Sequence, residues 1–230
     1  MVADTVERAS ALQTYADETS GCVRCALSAG RTQVVFGVGN PDADLMFVGE
    51  APGFHEDQQG IPFVGQAGKL LDKLLAEIGL ARSDIYVANV LKCRPPQNRD
   101  PLPEEIASCE SHLFRQIELI QPKLVATLGN FATKLLSGKP LGITRVHGRE
   151  QEVMLGPSRV LLYPLYHPAA ALYTPSMLNV LSEDFARIPA LIGRAEALPP
   201  VAAPATLAAV EDDPAPTAVI ELEPVQLGLF

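Results

Sequence analysis

The chain has 230 residues, 47% of them hydrophobic, enough to bury one sizeable core with some chain left over. No apolar run reaches the roughly 18 to 20 residues of a membrane span, and the first 14 residues are polar, without a signal peptide's basic and apolar regions, so a cytoplasmic protein is expected. The net charge of −9 does not exclude nucleic acid, because six acids and no Lys or Arg fall in residues 196–230, four acids and one Arg in residues 1–20, and the 17 acids and 17 bases between them balance.

Strand-like and helix-like stretches alternate between residues 21 and 195. The run 44–48 reads as a short buried strand ending in glycine. Residues 66–78 place Leu70, Leu71, Leu74, Leu75 and Ile78 at helical spacing. A second strand is expected over 85–90. Pro103, Glu104 and Glu105 suit the first turn of a helix that runs to Ile120. A third strand over 123–128, a helix over 130–136, a fourth strand over 160–163 and a closing helix over 176–192 complete the series. This alternation predicts an α/β chain, a four-stranded, mainly parallel sheet with helices on both faces. Ligands of such sheets bind at the carboxyl ends of the strands, which directs attention to the loops after Val48, Val87 and Tyr163. From Ala195 the composition turns to alanine, acids and proline (Pro199, Pro200, Pro204, Pro214, Pro216, Pro224), without helical or strand period. Residues 195–222 are expected to be a flexible linker.

The four cysteines are Cys22, Cys25, Cys93 and Cys109, the first two in a C-x-x-C pair. Four thiolates are what a four-iron cluster or a structural zinc requires, and spacing alone does not choose between them. Unpaired buried thiols or a redox C-x-x-C are the alternatives. Gly49-Glu50-Ala51-Pro52-Gly53 makes a tight turn after the first strand, followed by His55, Glu56 and Asp57 and by Gly60, Pro62, Phe63, Val64 and Gly65. It lacks the lysine and serine of a phosphate-binding P-loop. The alternative is an ordinary turn with solvated acids. Tyr166-His167-Pro168 follows the fourth strand, and the proline holds His167 extended. The alternative there is a histidine that merely bonds a neighbouring carbonyl.

Together these pieces closely resemble the family 4 uracil-DNA glycosylases, the iron–sulfur type. The matching motifs are the C-x-x-C pair, Gly49–Gly53, Gly60-Ile61-Pro62-Phe63-Val64-Gly65, Asn89-Val90-Leu91-Lys92-Cys93-Arg94-Pro95-Pro96, Cys109 and His167-Pro168, in family order over residues 5–193. The resemblance implies a three-layer α/β/α sandwich over residues 1–194 and a [4Fe–4S] cluster on Cys22, Cys25, Cys93 and Cys109. It implies that Phe63 stacks on an extruded uracil and that Asn89 reads its Watson–Crick edge. Glu50, Ala51 and Pro52 would line the pocket, and His167 would stabilise the uracil anion through O2. The wider superfamily carries an aspartate where this loop has Ala51, so Glu50 or Glu56 is expected to share the work on water, or leaving-group stabilisation carries the reaction. A related subfamily crosslinks covalently to uracil-containing DNA through a histidine in an inserted basic loop. Residues 92–99 contain neither, so turnover without a covalent intermediate is expected.

Lys92, Arg94 and Arg99, with Arg145, His147 and Arg149 in a later loop, read as phosphate contacts, against the alternative of a solvated charged surface. The chain ends Gln226-Leu227-Gly228-Leu229-Phe230, which resembles the peptide by which bacterial repair proteins dock on the sliding clamp. Gln226, Leu227, Leu229 and Phe230 are the expected anchors, within residues 223–230. The expected partners are uracil-containing DNA and the clamp, with no membrane, for a monomer in the nucleoid-associated cytoplasm. Two other classes stay open: a cluster-bearing DNA-binding scaffold, and a zinc-stabilised nucleotide-binding enzyme.

Overall fold

The structure, a computed structural model, describes residues 2–196. Its core is a six-stranded sheet built from β1 (Val38–Gly39), β2 (Leu45–Gly49), β3 (Ile85–Asn89), β4 (Leu124–Leu128), β5 (Gln151–Leu155) and β6 (Ser158–Leu165), in the order β1-β3-β2-β4-β6-β5. The four inner strands are parallel, as expected. The expectation of four strands misses the two edges, which pair antiparallel. β1 has only two residues. β5 alternates exposed Glu152 and Met154 with better covered Val153 and Leu155, so neither edge carries an unbroken apolar run.

Both faces of the inner strands are buried, which is why they read as continuous apolar stretches. Met46, Val48, Tyr86, Ala88, Val125 and Leu162 face one side. There they meet α1 (Val2–Ser20), α4 (Pro103–Ile120) and α5 (Asn130–Ser137). Leu45, Phe47, Ile85, Val87, Leu124 and Tyr163 face the other. That side is covered by α3 (Gln66–Glu77), α8 (Ser176–Ala186) and α9 (Ile188–Glu196), with Phe47 stacked on Phe185 at 5.6 Å. The short helices α2 (Phe54–Gln59), α6 (Ile143–Val146) and α7 (Pro168–Tyr173) lie in the connections.

Three boundaries differ from the sequence reading. α1 occupies a segment with no predicted element; it buries Leu12, and Tyr15 meets Phe36 edge-on at 5.7 Å. The closing helix breaks at Arg187, because Pro189 has no amide hydrogen and its ring would crowd the carbonyl four residues back. The helical domain reaches Glu196, with Ala195 buried, so a linker cannot begin at 195. Most of the expected linker, and the 223–230 peptide, lie outside the described residues. No helix among those described is long and apolar enough to cross a membrane.

Candidate active site and cysteine cavity

The cleft forms at the carboxyl ends of the parallel strands. Gly49 at the end of β2 stands in register with Asn89 at the end of β3, and β6 delivers His167 alongside. A cleft of about 450 Å³ opens between them, lined by Glu50, Ala51, Pro52, Glu56, Phe63, Asn89 and His167. Gly49 has no room for a side chain: a Cβ there would overlap Asn89 Oδ1 and approach Phe63 Cζ to 2.6 Å. Phe63 itself sits at φ +56°, a left-handed conformation costly for an aromatic residue. It is held by Arg82, whose Nη2 donates to the Phe63 carbonyl at 2.9 Å. Its ring stacks on His167 with centroids 5.5 Å apart.

Hydrogen bonding fixes the state of His167. Burial lowers its pKa to about 4, against a smaller opposing pull from Glu56, although some of the ring stays open to the cleft. Its Nδ1 accepts from the Ala169 amide at 3.1 Å, so the neutral ring carries its proton on Nε2 as a donor. Burial, reinforced by Asp100, raises Glu50 to about 7. Glu56 is tied down differently: Oε1 accepts from the amides of Val64 at 3.0 Å and Gly65 at 2.9 Å, bracing the Phe63 turn. The neighbouring Asp57 points away, buried and bonded to the Thr32 amide at 2.9 Å. Asn89 is 2% exposed, and its Oδ1 is buried without a hydrogen-bond partner. Such an orphan costs about 1–3 kcal/mol. Turning the amide by 180° exchanges Oδ1 and Nδ2, so the wall offers an acceptor or a donor.

The expected phosphate contacts separate. Arg99 reaches the cleft wall while paired with Glu105 at 2.6 Å. Arg94 donates to Asn98 at 2.7 Å and lies over the exposed Phe54 ring at 5.2 Å. Arg145 and Arg149 are exposed in the loop around α6. His147 in that loop is bonded to Asp184 at 3.1 Å and packs on Tyr166 at 4.5 Å. Lys92, expected among the phosphate contacts, lies inside the protein instead. It is 1% exposed, with its ammonium on the Asn89 carbonyl and on Gln116, and it cannot touch a phosphate. Its residue type argues for the surface, but a buried acceptor pair takes the charge inside. Conversely Tyr173, 86% exposed at the cleft mouth, has no counterpart in the sequence reading, since nothing marks one tyrosine after Ala169-Ala170-Ala171-Leu172.

The four cysteines line one narrow cavity with Arg31, Lys92 and His112. Arg31 Nη1 donates toward Cys93 Sγ at 3.4 Å, the Lys92 amide toward Cys109 Sγ at 3.3 Å, and His112 Nε2 lies 3.4 Å from Cys22 Sγ. Burial raises the Cys93 and Cys109 thiols, an effect that a bound metal reverses by displacing the protons. Among the described residues no three His, Cys, Asp or Glu side chains converge on a single ion. A tetrahedral zinc needs all four sulfurs about 2.3 Å from one centre, whereas a four-iron cluster gives each thiolate its own iron. A wider groove of about 680 Å³ along α1, between Val6 and Arg115, gathers no such set of groups.

The family model described as the uracil DNA glycosylase superfamily matches residues 36–188. The type-4 uracil-DNA glycosylase of Sulfurisphaera tokodaii is 46% identical over 182 residues, covering 77% of this chain and 83% of that protein. That of Archaeoglobus fulgidus is 46% identical over 181 residues, 77% of this chain and 91% of that protein. That of Thermotoga maritima is 41% identical over 188 residues, 80% of this chain and 96% of that protein.

Proposed function

The chain belongs to the uracil-DNA glycosylase superfamily, within its type-4 branch, and on that premise we propose that it excises uracil from DNA in the Phe63–Asn89–His167 cleft by monofunctional hydrolysis. The observation that carries this use of the cleft is the Asn89 amide: a polar group in a buried wall, one end unsatisfied, beside an aromatic ring. Uracil presents N3–H and O4 along one edge, which such an amide satisfies while the base stacks on Phe63. Cytosine presents the opposite pattern.

The reaction transfers the C1′–N1 bonding pair to uracil while water adds to C1′. His167, neutral and protonated on Nε2, donates to O2 as charge develops there. Glu50 takes the water's proton and faces the cationic sugar; a carboxylate poised near neutrality suits that work, and Ala51 supplies none. Glu56 braces the turn that carries Phe63. The products are free uracil and an abasic site. Arg94, Arg99, Arg145 and Arg149 carry phosphate contacts in this reading, and His147, bonded to Asp184, positions the second loop. Cys22, Cys25, Cys93 and Cys109, gathered in one cavity, would hold the [4Fe–4S] cluster that the family resemblance implies. When bound, the cluster supplies structural bracing, because hydrolysis needs no electron transfer. The protein works as a monomer, and Gln226, Leu227, Leu229 and Phe230 dock it on the sliding clamp.

The test is release of uracil from an oligonucleotide, read as alkali-labile strands. Wild type cleaves repeatedly and leaves no denaturation-resistant adduct. Asn89→Asp loses about a hundredfold or more on uracil and gains on cytosine; an unchanged preference would remove Asn89 from base reading. Deleting residues 224–230 should abolish clamp binding and spare activity on naked DNA, and clamp binding that survives the deletion ends the tail's role.

A further inference from the structure

Lys92 is a buried charge that the cleft alone does not explain. It makes no ion pair with a carboxylate among the described residues; its ammonium donates to two neutral acceptors, the Asn89 main-chain oxygen at 2.8 Å and Gln116 Oε1 at 2.5 Å. Burying an ammonium on neutral hydrogen-bond partners is expensive, offset in part by the Cys109 sulfur when it is a thiolate, and a methionine would fill the same space without that cost. Two anchors show what the charge connects. The Lys92 amide faces Cys109 Sγ at 3.3 Å, and Lys92 directly precedes Cys93, so its main chain is fixed at the cysteine cavity. Gln116 lies two turns beyond Cys109 on the same face of α4. It is itself locked, with Nε2 donating to the Phe36 carbonyl at 2.8 Å and to Tyr86 Oη at 3.3 Å. Its Oε1 is thereby aimed at Lys92. From this frame the lysine side chain reaches back to Asn89.

Asn89 needs such a hold. It ends β3, two residues past the last ladder pair with β1 at Val87; beyond that pair the chain is held on the β1 side through the Val35 amide, which donates to the Lys92 carbonyl at 2.8 Å, so Lys92 is the residue fixed on that side. We propose that Lys92 is a positioning residue that joins the two sites: anchored at the cysteine cavity and aimed by Gln116, it fixes the Asn89 main chain so that the side-chain amide meets the base edge. The proposal rests on the reading of Asn89 as the uracil-reading residue.

The test uses full-length, iron-loaded protein. Free uracil, as an inhibitor of excision, probes the base pocket. A duplex with a stable abasic-site analogue probes the remaining DNA surface, which Lys92 does not reach. Lys92→Met removes the charge and keeps the chain length. Its inhibition by free uracil should weaken about tenfold or more, the scale of a lost hydrogen bond to a charged group, while abasic duplex binds as in wild type and iron content holds. Unchanged inhibition by uracil overturns the proposal, and so does an equal loss on both probes, which a general structural role would give. Should Lys92→Met lose its iron or fail to fold, Gln116→Leu carries the test. It keeps the ammonium, strips the acceptor that aims it, and should weaken uracil inhibition several-fold, with the same two overturning results. A wild-type protein inert toward uracil-containing DNA sinks the reading of the cleft and this proposal with it, and shows itself before any variant is made.

Discussion

Glu50 and His167 carry opposite pKa shifts from the same cause, removal from water, and so hold opposite roles across neutral pH. His167, lowered to about 4, stays uncharged and adds no inflection near neutrality. Glu50, raised to about 7, is half ionised there. If its carboxylate handles water, the single-turnover rate climbs as pH rises through about 7 and then levels. Glu50→Gln should flatten that climb and lower the plateau by about 10²–10⁴-fold. A retained inflection at the same pH, or a near-full plateau, would assign the step elsewhere. Stability moves the other way. A carboxyl whose folded pKa lies above its ordinary value of 4.5 costs nothing while protonated in both states and costs most once ionised in both. Glu50→Gln should therefore raise the melting temperature above pH 7 and leave it unchanged below pH 4.5, which thermal unfolding across pH reads directly.

At the scale of elements, the cleft depends on α3 sitting hard against the turn before it. Gly68 in the first turn of α3 has no room for a Cβ, which would overlap the Phe63 carbonyl oxygen. Gly68→Ala must push α3 off that turn and release Phe63 from φ +56°. A cost of about 3 kcal/mol in denaturant unfolding is expected, the upper range for overpacking, with weaker binding of free uracil. A variant of native stability and affinity would mean the turn is more pliable than its geometry implies. The same scale shows what was legible in the sequence. β2, β3, β4 and β6 stood out because burial on both faces leaves unbroken apolar runs. α1 did not, because few of its described side chains enter the core and the rest mix polar residues with exposed Val6 and alanines, leaving no clear apolar face. β5 was hidden by its half-exposed alternation. The loops at the cleft were legible because turns at strand ends carry Gly, His and acids for a reason other than packing, whereas Phe63 and Asn89 took their roles from the family resemblance alone. Lys92 was misread because a charged residue between Leu91 and Cys93 looks like surface until the amide oxygen that accepts its hydrogen bond, 24 residues on at Gln116, is seen in space.

For the whole molecule, the cysteine cavity joins parts of the chain that the sheet does not. Cys22 and Cys25 follow α1, Cys93 follows β3 and Cys109 lies in α4. Without them α1 is held by Leu12, by Tyr15 bonded to His112 at 2.7 Å, and by Arg8 donating to the Ile120 carbonyl at 3.1 Å. Closing the long stretch between Cys25 and Cys93 removes unfolded-state entropy that grows only slowly with length, so the benefit is a few kcal/mol and not a condition for the sheet to form. Removing the metal, by chelation or by Cys22→Ser, should therefore lower the melting temperature by about 5–10 °C for a chain of this size and act unevenly. Hydrogen exchange should quicken over residues 5–25 and 89–99, where Asn89 and Lys92 lie. β2, β4 and β6, with both faces covered, should keep their protection until global unfolding. Uracil excision should fall with the protection of residues 89–99, even though no cysteine lines the cleft. Uniform loss of protection would instead make the metal a requirement of the whole core, and unchanged exchange at residues 89–99 would cut the link between the cysteine cavity and the cleft.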